Sequence, residues 1–378
     1  MDLSSRRILT FIFEAGIIIA FCIPGVIISL LYVQVIGCAL FGLFSTFKSD
    51  YDSDTPIYPG LISGCCGSIT TFSTWQFDAS SAIFGFKPYE TSVKNRVFNF
   101  ASQLLYTTAS SYAAITFGSH LGQSLSYAVK QCISHKANRN TSITPLTETH
   151  QQSSPEIHFS VPNNNLDILL PSNPIPSTSI APVSHLQPSA ISGKNSEDLP
   201  LDNKASKFCS RHPALFYSEL FFSVFGWVTS IVVIIIAATN YKKPNSSLNT
   251  TLLIEVAFGP VGALLRWVLS KLNKPHHFIP TGTLIANLLA VAIITVSNST
   301  ASLASSKSKC LILKFGLGSG FCGCLSTVST FMSEIIKLKR LNTYSYYFIS
   351  VVISQIINLI ILEIFLHTSS IDFNNSVC

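Results

Sequence analysis

The sequence predicts an all-α polytopic membrane protein, with nine transmembrane helices arranged as two inverted four-helix units joined by a single linking helix. Three observations carry that prediction. Of the 378 residues, 11% are charged and 48% are hydrophobic, which is too little charge to cover a folded surface in water. Uncharged apolar runs such as Leu220 to Ala238 are long enough, at ~1.5 Å rise per residue, to cross a ~30 Å hydrocarbon core. Finally, the string GCCGSITTFSTWQFD, from Gly64, returns as GFCGCLSTVSTFMSE, from Gly320, 256 positions later.

The elements follow in chain order. Spans are expected at 8–22 and 27–47, separated by Pro24-Gly25, then at 58–84, which carries the first copy of the string, and at 97–128. These form a first unit over 1–128. The first apolar stretch runs on for roughly twice the length of a cleavable signal's apolar region. From 129 to 211 the chain turns rich in Ser, Pro, Asn and Thr, and such a segment cannot bury enough apolar surface to offset its ordering entropy, so it reads as a disordered linker. One span at 215–239, within 212–240, follows it. The second unit, 241–370, holds spans at 249–271, 280–298, 310–336 and 344–367. Four spans return a chain to the side where it started, so one extra span between two such units turns the second one over, the inverted-repeat layout of many transport proteins.

Loop Lys and Arg are in excess on the side of the N-terminus, which places it in the cytoplasm and the C-terminus outside, in a plasma membrane. Sequons at Asn245, Asn249, Asn298 and Asn374 fall on the outer side; Asn140 does not. The net charge of +6 is spread over loops and indicates no nucleic-acid partner. Cys22, Cys38, Cys65, Cys66, Cys310, Cys322 and Cys324 lie in or beside apolar stretches, where thiols act as small hydrophobes. Cys322-x-Cys324 lacks an accompanying histidine for a metal site. No phosphate-binding loop and no His/Ser/Asp or metal constellation stands out, so an enzyme is not expected.

Aligning Gly60–Asp78 with Gly316–Glu334 gives nine identities in nineteen positions, among them Gly64/Gly320, Cys66/Cys322, Gly67/Gly323, Thr71/Thr327, Ser73/Ser329 and Thr74/Thr330; both copies end in an acid, Asp78 and Glu334. Consecutive hydroxyls beside glycines lower helical preference. Irregular backbone is tolerated at membrane depth only when it is buried or lines a cavity, where freed carbonyls suit a cation and freed amides and hydroxyls suit an anion. The competing reading is that these small residues simply permit close helix packing. Three further features join the string. Asn287 is an amide inside an apolar span, costly without a partner. Arg266, in the preceding span, either faces protein or snorkels past Lys271 to the membrane surface. Ser350, Ser354 and Asn358 recur at i+4, as do Ser102, Tyr106 and Ser110 in the fourth span; each stripe lines a path or glues helices together.

Gly-Phe-Cys-Gly followed by Ser-Thr-x-Ser-Thr-Phe, with upstream Gly-Thr-x-x-x-Asn and Gly-Ala-x-x-Arg, resembles the CrcB/Fluc fluoride channel family. The fused form with an odd span resembles its eukaryotic fluoride export branch. The likeness covers about 57–128 and 249–367. The resemblance implies a passive, fluoride-selective channel that exports cytoplasmic fluoride through narrow antiparallel pores, with the bilayer and fluoride as its partners. A single chain holding both units would act as a monomer. The carbonyls of Gly67, Thr70, Gly323 and Ser326 would hold a structural sodium ion. The fluoride pathway would involve Asn287, Phe72, Phe331, Trp75, Thr71, Ser73, Thr327, Ser329, Ser350, Ser354, Tyr106 and Gln34, with Arg266 structural. Gln34 stands where the second unit has Asn287, Trp75 and Val328 replace two of four aromatic positions, and the first unit has no Gly-Ala-x-x-Arg. Glu14 to Gln34 spans 20 residues against 32 from Glu255 to Asn287, so the first hairpin is expected to be truncated or rebuilt. One competent and one vestigial pore is the expectation. An ion-coupled transporter of another small anion and a non-transporting scaffold are the alternatives.

Overall fold

The computed structural model describes residues 3–28, 33–50, 55–86, 92–141, 213–240, 248–273 and 279–369. The segment read as a disordered linker lies outside the described residues from 142 to 211. The chain divides into one unit of Met1–Ser134 with His212–Cys378 and another of His135–Arg211. Of the second, the described residues are the end of one helix; the architecture below is that of the first.

Among the described residues every regular element is helical. The chain runs through α1 (Leu3–Ile28) and α2 (Val33–Asp50) into a broken helix. That helix comprises α3 (Ile57–Pro59), a π segment (Gly60–Cys66), α4 (Gly67–Ile69) and, after the break, α5 (Phe72–Phe84). Next come α6 (Val93–Thr141), α7 (Pro213–Asn240), α8 (Leu248–Ser270) and α9 (Thr281–Ser302). The second broken helix repeats the first as α10 (Lys307–Leu311), a π segment (Ile312–Cys322), α11 (Gly323–Leu325) and α12 (Val328–Lys337), and α13 (Arg340–Ser369) ends the fold. Five described helices are long and apolar enough to cross a membrane: Tyr217–Asn240, Thr250–Ser270, Thr281–Ser302, Lys307–Lys337 and Arg340–Thr368. A shorter apolar helix covers Ile8–Cys22.

Three sequence expectations need correction. Helix α1 does not stop at Pro24-Gly25 but runs to Ile28; the apolar run continues past the pair, and Pro and Gly are tolerated within membrane helices. Residues 129–141, assigned to the linker, extend α6. Nothing from Gln123 to Thr144 is Gly or Pro, Gln131 donates to the Tyr127 hydroxyl at 2.8 Å, and Lys130 Nζ lies 3.7 Å from Asp50 on α2. Cys310 is buried in the apolar core, as expected of a small hydrophobe, but is disulfide-bonded and so not a thiol; the other described cysteines are free thiols.

Small residues decide which helices touch. Gly16 on α1 and Gly226 on α7 face each other so closely that a Cβ on Gly226 would strike the Gly16 carbonyl, the backbone approach that small residues allow between membrane helices. Trp227 then donates its indole N–H to Ile12 O at 3.0 Å. One apolar cluster joins α1, α8 and α11 through Ala15, Ile18, Cys22, Val256, Ala263, Trp267 and Cys324. A larger one surrounds Phe72, Trp75, Val291, Val328, Phe331 and Tyr346, drawing on helices from both halves of the chain.

Candidate functional site

Both copies of the repeated string break at the same place. The wide turns of the π segments end at Gly67 and Gly323, a short α turn follows, and two residues then extend. They are Thr70 (φ −98, ψ 115) with Thr71 (φ −111, ψ 114), and Ser326 (φ −92, ψ 157) with Thr327 (φ −153, ψ 130). Hydroxyl residues favour such exits because the side chain offers the backbone a substitute partner. Thr70 and Ser326 each return a hydroxyl to the carbonyl four residues back, Cys66 O and Cys322 O, both at 3.0 Å. The close-packing reading alone is therefore insufficient: both helices are interrupted.

The two breaks cross, and the contact is reciprocal. The Ser73 N–H donates to Ser326 Oγ at 2.9 Å, and the Ser329 N–H donates to Thr70 Oγ1 at 3.2 Å. Thr70 aligns with Ser326 and Ser73 with Ser329, so each copy caps the first turn of the helix that follows the other break. Residue i meeting j while i′ meets j′ is the pattern of a two-fold contact. Direct hydroxyl contacts of 2.9 Å join the same pairs. The helix directions agree. Gln355 Nε2 donates to Gln76 Oε1 at 2.6 Å and Asn358 Nδ2 to Ser80 Oγ at 2.9 Å, so α5 and α13 advance together. Tyr346 OH reaches Glu334 Oε2 at 2.8 Å and Thr343 reaches Ile335 O at 3.1 Å, so α12 runs against α13. The aligned helices α5 and α12 thus point in opposite directions.

Amides from the second helix of each half brace the breaks. Asn287, buried on α9, accepts the Thr327 N–H at 2.9 Å and points its amide nitrogen at Thr327 O, 3.4 Å away. Gln34 on α2 donates to Thr71 O at 2.7 Å, and its Oε1 is buried with no hydrogen-bond partner. Thr71 aligns with Thr327, so Gln34 stands where Asn287 does, one methylene longer and braced at one atom.

Arg266 faces protein and does not snorkel. Its side chain is 4% exposed, and the guanidinium donates to Gly67 O at 2.7 Å, to Ser326 O at 3.4 Å and to Ser63 O. A Cβ on Gly67 would lie 2.5 Å from Nη2, so a side chain there would push the guanidinium off these carbonyls. Gly67 O and Ser326 O are two of the four carbonyls that the family resemblance assigns to a sodium ion. An ion on Gly67 O would share that oxygen with a guanidinium, and two unit charges ~4 Å apart repel by ~4 kcal/mol at an effective dielectric of ~20. Two of the four carbonyls, Gly67 O and Ser326 O, are thus engaged by a covalently held cation, which makes the set a poor fit for a sodium ion.

Below the crossing lie the aromatic side chains. Phe72 and Phe331, both fully buried, meet edge to face with centroids 5.2 Å apart and planes at 73°. Phe331 makes a second such contact with Tyr346 at 5.1 Å, and Phe72 one with Trp75 at 5.4 Å. The Trp75 indole is tied to Gln103 O on α6 at 3.1 Å. The two hydroxyl stripes fare differently. Ser350, Ser354 and Asn358 are all buried; Ser350 bonds Tyr346 O at 2.8 Å, while the Ser354 hydroxyl has no protein partner. On α6, Tyr106 is 69% exposed, away from the site, and Ser102 and Ser110 bond only their own helix, at Asn99 O and Thr107 O.

Sequence reasoning missed Gln76, Ser80, Gln355 and Thr295, which join Asn358 in a buried hydrogen-bonded chain across α5, α13 and α9. Gln76 and Ser80 sit four and eight residues after Phe72, so helical spacing could have found them. Tyr346, one turn before Ser350, was likewise within reach of the stripe.

The family model described as CrcB-like protein, Camphor Resistance (CrcB), matches residues 253–363. The Fluoride export protein 1 of Saccharomyces cerevisiae is 23% identical over 369 residues, covering 90% of this chain and 84% of that protein. The Fluoride-specific ion channel FluC of Klebsiella pneumoniae is 35% identical over 97 residues, 25% of this chain and 75% of that protein. FluC of Nitrosomonas europaea is 38% identical over 96 residues, 25% and 74% respectively. No solved structure matches the chain.

Proposed function

The chain belongs to the CrcB-like family, and on that premise we propose that it is a passive, fluoride-selective channel that exports cytoplasmic fluoride and so protects the cell from it. The observation that carries the reading is the edge-to-face pair Phe72–Phe331, formed between the two halves beside a buried hydroxyl stripe on α13. A ring edge bears the positive lobe of the quadrupole, so it attracts a small anion without holding it too tightly to leave. The Ser354 hydroxyl, buried without a protein partner, supplies a donor that replaces part of the hydration shell. Asn287 contributes by fixing the backbone of Thr327, which holds the first turn of α12, and Phe331 with it, in place. Thr71, Ser73, Thr327 and Ser329 set the crossing around the same pair. Fluoride enters from acidic surroundings as neutral HF and ionises inside, so a leak driven by the membrane potential suffices for export.

In this reading one pathway conducts and its pseudo-symmetric mate is vestigial. Phe72, Phe331, Asn287, Ser350 and Ser354 belong to the first. Trp75, Val328, Gln34 and Tyr106 belong to the second, where the indole is bound to α6, a valine replaces a ring and the tyrosine faces outward. The reciprocal capping and the opposed directions of α5 and α12 support nine spans in two inverted units with α7 between them. A cytoplasmic N-terminus puts Cys310 near the outer surface, where disulfides persist. One chain contains both units, so we assign a monomer in the plasma membrane.

The test is fluoride efflux from proteoliposomes holding the purified protein. Wild type empties the vesicles of fluoride and not of chloride; Phe331→Leu slows efflux at least tenfold. Efflux that survives unchanged in Phe331→Leu would remove the assigned pathway, and efflux that requires an imposed proton gradient would make the protein a coupled transporter.

A further inference from the structure

We infer that the Arg266 guanidinium is itself the cation that holds the two broken helices together, and that the crossing therefore takes no free alkali metal ion. The inference rests on the geometry of the crossing and is independent of which ion the protein transports.

The carbonyls that need a cation come from both halves. Gly67 O, at 2.7 Å, and Ser63 O belong to the segment before the first break, and Ser326 O, at 3.4 Å, belongs to the second. Gly67 and Ser326 lie in or just after the last turn of a helical run, where unpaired carbonyls carry the negative end of the macrodipole. A planar guanidinium is suited to this place because it spreads one charge over several donors in a fixed fork and is weakly hydrated. It reaches carbonyls of two crossing segments at once, which a single lysine ammonium would do less well. The neighbouring thiols are soft: Cys22 and Cys324 Sγ lie 3.5 Å apart, with the Ser68 hydroxyl 3.2 Å from Cys22 Sγ, and the Glu255 carboxyl is close enough to Cys324 to interact with it electrostatically.

The arrangement also uses the asymmetry of the chain. Two identical subunits related by a two-fold axis would bring two arginines to one crossing, whereas this fused chain has Arg266 in the second unit and no Gly-Ala-x-x-Arg in the first. One charge then serves the carbonyls of both halves. Gly67 completes the device, since any side chain at that position would displace the guanidinium.

The decisive comparison needs no variant. Full-length protein in detergent is melted in sodium chloride, lithium chloride, potassium chloride and choline chloride at equal ionic strength, and sodium binding is followed by titration calorimetry. The expected result is one Tm in all four salts and no heat of sodium binding. A saturable rise of Tm with sodium, or a measured sodium affinity, would overturn the inference. In Arg266→Ala the carbonyls lose their partner, and the expected result is a Tm that falls in choline and recovers by several degrees with sodium or with free guanidinium ion. A folded Arg266→Ala protein that responds to neither cation would also overturn it. If that variant does not fold, the wild-type salt series decides alone. Loss of fluoride efflux in every salt with an unchanged Tm would count against the channel assignment and leave this inference standing.

Discussion

Thr70→Val removes one hydroxyl from the crossing and keeps the shape of the side chain. In the native protein Thr70 Oγ1 accepts the Ser329 N–H at 3.2 Å and touches Ser329 Oγ at 2.9 Å. After the change Ser329 Oγ still has Thr327 Oγ1 at 3.2 Å, but the Ser329 N–H is left buried without a partner. Thr70 is fully buried, so water cannot substitute, and an orphaned buried donor costs ~1–3 kcal/mol. The mirror change, Ser326→Ala, orphans the Ser73 N–H in the same way and is expected to cost a similar amount. At roughly 2–4 °C per kcal/mol, each variant melts about 2–12 °C below wild type in detergent. The assay is thermal unfolding of the purified protein, with Thr46→Val as a control, since its hydroxyl bonds backbone carbonyls and caps no N–H of another element. If Thr70→Val and Ser326→Ala both melt with wild type, or only one of them is destabilised, the reciprocal capping does not hold the crossing together.

Three further outcomes are expected. Asn287→Leu leaves the Thr327 N–H unpaired, so it lowers Tm as Thr70→Val does and slows fluoride efflux at least tenfold, whereas Gln34→Leu, which removes a donor from Thr71 O in the vestigial half, changes efflux less than threefold. Ser354→Ala removes a hydroxyl with no protein partner, so it leaves Tm within about 2 °C of wild type, a shift set by roughly 0.5 kcal/mol, and still slows efflux; Tyr106→Phe alters neither, and a slowed Tyr106→Phe would show that the α6 stripe conducts. Gly226→Leu would force a side chain into the Gly16 backbone and is expected to abolish accumulation of folded protein, read by size-exclusion chromatography of detergent extracts.

The breaks were legible in the sequence because paired glycines and hydroxyls inside an apolar run oppose helix locally, and they stand in step in two places. Asn287 and Arg266 were legible as polar groups with no local reason to be buried. Their partners were not. Asn287 bonds Thr327 backbone forty residues on, and Arg266 reaches Gly67 in the other half; no periodicity encodes contacts made by the crossing itself. The choice between snorkelling and burial for Arg266 depended on that crossing. Tyr106 shows the converse limit: i+4 spacing put it on a stripe like that of Ser350, but spacing says nothing of whether the stripe faces a neighbour or the outside. Composition alone puts the linker boundary too early, because Ser and Asn do not end a helix that meets no Gly or Pro from Gln123 to Thr144. Gln76 aligns with Met332, so the repeat carries no sign of it.

The reversal potential of the fluoride current tests the account most directly. Protein fused into a planar bilayer with fluoride gradients and impermeant counter-ions is expected to pass a current that reverses at the fluoride equilibrium potential, does not shift with a pH gradient, and disappears in Phe331→Leu. A current that reverses at the equilibrium potential of chloride or protons, or a fluoride current indifferent to Phe331, would contradict a conductive path between the two broken helices.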